Sequence, residues 1–263
     1  ASQLLINKST FPVFLKVNTC STFCFSIISP KKEVIPTIIN FTDTITFLEN
    51  DSRAMAYGEF NAGLVKEEKN VLFLNLDYGL GMGVMINSQL YYGKSGFAGE
   101  FGHIPLFNNN IICQCGKKGC LETEGSGWAL TRNFREKIEA GTSSILIEKN
   151  GKAISTQSIE MDAIIEAANN DDVLAIDLIA DLGEKLGRGI ALLINIFNPE
   201  LVIIGGSLAN TGEYLILPIK SAINKYSLSL VNNDTKIKRS LLGEKSGVIG
   251  ACLLARNRLL NLD

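Results

Sequence analysis

His103-Ile-Pro-Leu-Phe-Asn-Asn-Asn-Ile-Ile-Cys113-Gln-Cys115-Gly-Lys-Lys-Gly-Cys120-Leu-Glu122 sets the single histidine of a 263-residue chain ahead of three closely spaced cysteines. Zinc (Zn2+) favours four tetrahedral ligands drawn from thiolate and imidazole, and three cysteines with one histidine form a common closed structural set. Cys113 and Cys115 can chelate from one tight turn. Gly116 and Gly119 let the backbone bend back so that Cys120 closes the knuckle, and His103 arrives from the preceding segment. Four protein ligands leave no open position for water, so a zinc ion held by His103, Cys113, Cys115 and Cys120 is structural and does no chemistry. The alternatives are a disulfide pair with a spare thiol, or three buried small residues. The place of the only histidine and the glycines between the cysteines favour the metal.

Away from the knuckle, composition excludes several classes. Apolar residues make up 46% and charged residues 20%, a globular profile with enough apolar surface for a large core. The net charge of −2 exerts no global pull on nucleic acid or anionic membrane, so any DNA contact needs positive charge from another segment. No run of about 18 apolar residues occurs, and no membrane partner is expected. The first residues, Ala1 to Lys8, lack the basic-then-apolar order of a signal peptide. Six cysteines, three of them in a metal pattern, suit a reducing, cytoplasmic location. Cys20, Cys24 and Cys252 lie in apolar stretches and read as buried thiols.

The pattern along the chain is α/β. Residues 11–28 read as an apolar hairpin turning at Asn18-Thr-Cys-Ser-Thr22, followed by a β-like run, Thr44 to Leu48. Asn50-Asp51 opens a helix. Val71 to Leu76 is a buried strand running into a loop, Gly79-Leu-Gly81-Met-Gly83, and then into strands at Val84 to Ile86 and Gln89 to Tyr92. Helices are expected at Trp128 to Ala140, Asp162 to Asn169 and, from spacings of three and four, Asp172 to Asn198. The strand Leu201 to Ile204, the pair Gly205-Gly206, a helix over Tyr214 to Tyr226, a strand over Lys236 to Arg239 and a helix over Gly247 to Arg256 complete two α/β lobes with a cleft between them.

With Asn50-Asp51, Gly79-Leu-Gly81-Met-Gly83, Gly99-Glu100-Phe-Gly-His103, Cys113-x-Cys-Gly-x-x-Gly-Cys120-x-Glu122 and Gly205-Gly206 in that order, the chain from about Phe47 onward resembles the ROK family of repressors, open reading frames and kinases. Among its members it is most like the transcriptional repressors of the N-acetylglucosamine/xylose repressor type. The resemblance implies a two-lobed actin-like ATPase fold, ribonuclease H-like and hexokinase-like, with an inserted zinc knuckle that shapes a sugar pocket. It also implies sugar contacts from Asn50, Asp51, Glu100, His103 and Glu122, with Asp51 in the place of the general base of a kinase. His103 would then ligate zinc through one ring nitrogen and face the sugar with the other. Paired carboxylates and an amide suit vicinal hydroxyls, and they reject analogues that would strand a buried polar group. Read singly, Asn50-Asp51 could equally be helix-capping residues, and Glu100 and Glu122 solvated surface acids.

The sequence departs from the family's kinases where those bind nucleotide. They carry an Asp-x-Gly-Gly-Thr turn, and the matching Asn18-Thr-Cys20-Ser21-Thr22 has lost the acid and both glycines; a kinase-like Gly-Thr-Gly is replaced by Asp77-Tyr78-Gly79. Side chains at the glycine positions block close approach to phosphate, and the Asp77 carboxylate repels it. No catalysis is therefore expected. The expectation is the sugar-sensing, oligomerising domain of a ROK transcriptional regulator, a homodimer or homotetramer binding a sugar or sugar phosphate between its lobes. Residues 1–60 would be an incomplete remnant of the N-terminal lobe, and residues 61–263 the C-terminal lobe with the knuckle at 103–122. Operator DNA would be read by an N-terminal winged helix-turn-helix missing from this chain, and segments between Ser29 and Asn50 are expected to be absent. The alternatives are an ATP-dependent sugar kinase of hexokinase or glucokinase type, and a scaffold that binds neither ligand.

Overall fold

The computed structural model describes residues 13–17, 23–27, 46–149, 152–153 and 155–262. The Asn18 to Thr22 turn, the interval 28–45 and the thiol of Cys24 lie outside the described residues and side chains. Strands β1 (Val13–Val17) and β2 (Phe23–Ile27) pair antiparallel, and β1 also pairs antiparallel with β3 (Thr46–Glu49), giving the order β2-β1-β3. Helix α1 (Asp51–Ala62) follows directly.

The second sheet organises the rest. It contains β4 (Val71–Leu76), β5 (Leu80–Ile86), β6 (Gln89–Leu90), β9 (Leu201–Gly205) and β10 (Lys236–Arg239) in the order β10-β9-β4-β5-β6. β10, β9 and β4 run parallel, and β5 and β6 are antiparallel additions, so the sheet is mixed. Every residue of β4 and β9 is buried, as a strand covered on both faces requires. Successive side chains of a strand point to opposite faces, and the core divides accordingly. Leu72, Leu74 and Leu76 join Val202, Ile204, Ile190 and Ile194 on one side. Val71 and Phe73 join Leu201, Ile203, Met85 and Ala56 on the other.

The first face is covered by α3 (Gly127–Glu139), α4 (Met161–Asn169), the long α5 (Val173–Phe197) and α6 (Glu213–Tyr226); a short α2 (Glu122–Gly125) precedes α3. The second face is covered by α1, backed by α8 (Lys245–Leu260), and α7 (Ser229–Asn232) is one short turn. Asp172 caps α5 by accepting from the Ala175 N–H at 2.8 Å, and Asn198 ends it in the left-handed conformation. A small hairpin, β7 (Glu148–Lys149) with β8 (Lys152–Ala153), was not anticipated from the sequence. α1 spans the expected division between residues 60 and 61 and packs on β5, within the second sheet. Among the described residues no helix is long and apolar enough to cross a membrane.

One expectation is corrected. Gly79 to Gly83 is not a loop: β5 begins at Leu80, and Gly81 and Gly83 lie within it, paired with Asn75 and Phe73. A Cβ on Gly81 would stand 2.1 Å from Ser52 Oγ, and one on Gly83 2.3 Å from Ala56 Cβ. These glycines let α1 lie against the strand, so their spacing records helix packing and leaves only residues 77–79 as turn.

Candidate metal centre and its surroundings

The knuckle is held by backbone bonds before any side chain is considered. Pro105 bridges Cys120 and Ile112 bridges Lys118 as isolated antiparallel pairs. Cys113 N–H donates to Lys117 O and Gly116 N–H to Cys113 O, which makes the Cys113 to Gly116 turn. Gly119 has φ +75°, and a Cβ there would stand 2.0 Å from Phe107 O, so only glycine allows the chain to return to Cys120.

This backbone gathers His103, Cys113, Cys115 and Cys120 so that one ligand atom from each lies within 4.8 Å of the others. Cys113 Sγ is 3.4 Å from His103 Nδ1, and Cys115 Sγ is 3.6 Å from Cys120 Sγ. Metal bonds of about 2.0–2.3 Å in a tetrahedron place ligand atoms roughly 3.3–3.8 Å apart, whereas a disulfide requires about 2.05 Å. The group could therefore hold a metal ion, and the disulfide alternative fails because these three cysteines are free. Cys113 and Cys120 are buried and Cys115 is exposed. Burial pushes the Cys113 and Cys120 thiols up, while the Lys117 N–H beside Cys115 draws that thiol down. Thiolates this close repel one another, and a cation among them removes that cost as the protons leave.

The carboxylates flank this group. Glu122 Oε2 lies 3.3 Å from Cys113 Sγ and 3.7 Å from His103 Nδ1, and its Oε1 accepts from Leu80 N–H at 3.3 Å. Glu100 Oε2 lies 3.9 Å from His103 Nε2. His103 therefore turns Nδ1 toward the cysteines and Nε2 toward Glu100, and its side chain is 37% exposed. The Glu122 side chain is 15% exposed and bonded to strand backbone, unlike a solvated surface acid; that of Glu100 is 57% exposed.

Asn50 and Asp51 stand at the start of α1. Asn50 caps the helix, its Oδ1 accepting from Arg53 N–H at 3.1 Å. Asp51 Oδ1 accepts from Ser52 N–H at 2.6 Å and from the Ser52 hydroxyl at 3.1 Å. That hydroxyl accepts from Asn75 Nδ2 at 3.3 Å and sits against Gly81. Asp51 and Glu122 thus lean on adjacent residues of one strand, Asp51 through Ser52 on Gly81 and Glu122 through the N–H of Leu80. Cavities of about 650, 640 and 470 Å³ on this molecule are lined by none of Asn50, Asp51, Glu100, His103 and Glu122. The largest of the three lies beside Tyr78, Trp128 and Arg132.

Sequence reasoning missed Ser52, Asn75 and Ser207. Asp77 Oδ2 accepts from the Ser207 hydroxyl at 3.2 Å, and the carbonyls of Asp77 and Tyr78 accept from Gly127 and Trp128 N–H at 2.9 Å each. Asn75 is flanked by leucines and reads as one more strand residue, and nothing local in the chain announces contacts that span 23 or 130 positions.

The profile of the ROK family matches residues 28–258. A glucokinase of Thermotoga maritima is 32% identical over 213 residues, 81% of this chain and 66% of the relative. A xylose repressor of Bacillus subtilis is 30% identical over 216 residues, 82% of this chain and 52% of the relative. Among solved structures, a ROK family transcriptional regulator described as a homologue of the E. coli MLC protein superposes with a TM-score of 0.73. It is 33% identical and covers 84% of this chain and 54% of its own. A ROK family glucokinase from Streptomyces griseus, in complex with glucose and AMPPNP, gives 0.74 at 31% identity over 87% and 73%. The chain spans about half to two thirds of the length of the curated relatives it matches.

Proposed function

The chain belongs to the ROK family, and on that premise we propose that it is the sugar-sensing, oligomerising domain of a transcriptional regulator of the repressor type. The observation that carries this reading is the bond between Ser207 and Asp77. It joins the turn after β4 to the turn after β9, and the carboxylate it fixes there opposes phosphate. The glycines of β5 are likewise committed to packing α1. A transcriptional regulator and a xylose repressor among the relatives, each matched over about half its length, support the same reading.

Asn50 through its amide, Asp51, Glu100, His103 Nε2 and Glu122 would contact a sugar or sugar phosphate in the cleft of a two-lobed actin-like fold. Zinc would be held by His103 Nδ1 and the thiolates of Cys113, Cys115 and Cys120. When bound it supplies rigidity only, because four protein ligands close the coordination sphere. That rigidity fixes the plane of the His103 ring and stands Glu122 two residues from a ligand, where its carboxylate is already bonded to Leu80 N–H.

In the cytoplasm, ligand would change the relative angle of the lobes and hence the spacing of DNA-reading domains, supplied by an N-terminal part of the full protein, in a dimer or tetramer. Such a switch requires different affinities for two states. Isothermal titration with glucose, xylose, N-acetylglucosamine and their phosphates tests the reading. Saturable heat that disappears in Asp51→Ala is expected, and absence of heat with every sugar overturns it. The rival reading, an ATP-dependent sugar kinase with Asp51 as general base, draws on the 32% identity to a glucokinase. ADP release above background with any of these sugars would favour it.

A further inference from the structure

Glu49 is 8% exposed, yet its carboxylate collects donors from three separate parts of the chain. Oε1 accepts from Arg53 Nε at 2.7 Å and from Asn50 N–H at 2.9 Å. Oε2 accepts from Arg258 Nη2 at 2.7 Å and from the Tyr92 hydroxyl at 3.1 Å. Arg258 also reaches the Tyr92 oxygen at 3.2 Å, and the guanidinium of Arg53 lies over the Tyr92 ring at 5.3 Å. Surface ion pairs contribute little. A buried carboxylate between two guanidinium groups is different, because removing one partner strands charge out of water.

The place of this cluster is what gives it meaning. Asn50 and Arg53 flank Asp51 in the first turn of α1. The other end of Arg53 donates through Nη1 to Gly96 O at 2.7 Å, four residues ahead of Glu100. Arg258 belongs to α8, whose Ala251 and Leu254 pack on Ala54 of α1. One carboxylate therefore ties together the turn that carries Asp51, the segment that leads to Glu100 and the last turn of the C-terminal helix.

We infer that Glu49 is a positioning residue that sets the separation of Asp51 and Glu100, and that through Arg258 it couples occupancy of their site to helix α8. The inference rests on the sugar-sensing reading above and deepens it by naming a route of regulation. A sugar drawn between Asp51 and Glu100 pulls on the two segments that Arg53 bridges, and Arg258 shares the same carboxylate, so α8 responds without touching the ligand.

The test is titration of the purified chain with whichever of glucose, xylose, N-acetylglucosamine or their phosphates gives the largest heat, combined with hydrogen exchange of residues 245–260. Glu49→Gln should weaken binding about tenfold, the scale of a hydrogen bond to a charged group. Arg258→Ala should leave binding measurable but abolish the sugar-induced protection of α8 seen in the parent chain. If Glu49→Gln does not fold, Tyr92→Phe, which removes one donor to Glu49 and one acceptor of Arg258 and leaves both guanidinium groups on the carboxylate, carries the test with a loss of about threefold. A merely structural role would lower the unfolding temperature of each variant while leaving sugar-induced protection in place, and that result overturns the inference. So does unchanged affinity in Glu49→Gln or, where it is used, Tyr92→Phe. A parent chain that binds no sugar fails at the first titration, before any variant is made, and removes the sensing reading together with this one.

Discussion

Ser207 and Asp77, 130 positions apart, meet in a hydrogen bond of 3.2 Å that links the turn after β4 with the turn after β9. Both turns lie at the C-terminal ends of neighbouring parallel strands, the region where open α/β sheets bind ligands. With Gly127 and Trp128 bonded to the carbonyls of Asp77 and Tyr78, the first turn is committed to internal contacts.

On the repressor reading proposed above, phosphoryl transfer is expected to be absent. A coupled ADP-release assay with ATP, Mg²⁺ and the sugar panel should stay at background for the parent chain. Sustained turnover that Asp51→Asn abolishes would replace the sensor with a kinase.

Elemental analysis should find about one zinc per chain, held by His103, Cys113, Cys115 and Cys120. Cys115→Ser removes a ligand that is exposed and plays no part in the apolar core, so loss of stability there reports the metal. Zinc content and unfolding temperature should fall together, because metal binding free energy is folding free energy. Zinc near zero in freshly prepared protein counts against the site.

Gly81→Ala should destabilise by about 1–3 kcal/mol, since its Cβ would overlap Ser52 Oγ, and either that hydroxyl leaves its bonds to Asp51 and Asn75 or α1 shifts to admit it. Thermal or denaturant unfolding measures this. Because Ser52 also donates to Asp51, sugar affinity should fall in the same variant. A neutral substitution would mean that α1 does not rest on β5 as described.

Glu49 gives a pH dependence of known sign. Burial alone would raise its carboxyl, but Arg53, the Asn50 N–H and Arg258 outweigh that and hold it below the ordinary value of 4.5. A depressed carboxylate contributes stability that is present above its unfolded value and lost as pH falls through the folded one. The unfolding-temperature difference between the parent chain and Glu49→Gln should be steady at neutral pH and shrink below about pH 4.5. A difference that grows on acidification would contradict the ion cluster.

Much of this protein was legible along the chain. The gathering of His103 with Cys113, Cys115 and Cys120 was, because groups supplied by one short segment lie close in sequence. The strand Val71–Leu76 and the helix ending at Asn198 were, because burial on one or two faces leaves a period in the residues. The capping role of Asn50 is one of the two roles its place before α1 allows. Gly81 and Gly83 misled: glycines at that spacing suit a loop or a close helix contact, and sequence alone cannot tell which.

Local chemistry, then, determined which residues could bind metal and which segments could be strand or helix, since period and ligand spacing act within a few residues of chain. Only the folded chain decided that Glu122 is bonded to Leu80, that Asp77 is engaged by Ser207, and that Glu49 joins Arg53 to Arg258. Those pairings join positions as far apart as 209 residues. They exist because the β4–β5–β9 sheet stacks its helices in one order, and a one-dimensional pattern does not record which side chains that stacking brings within hydrogen-bond distance.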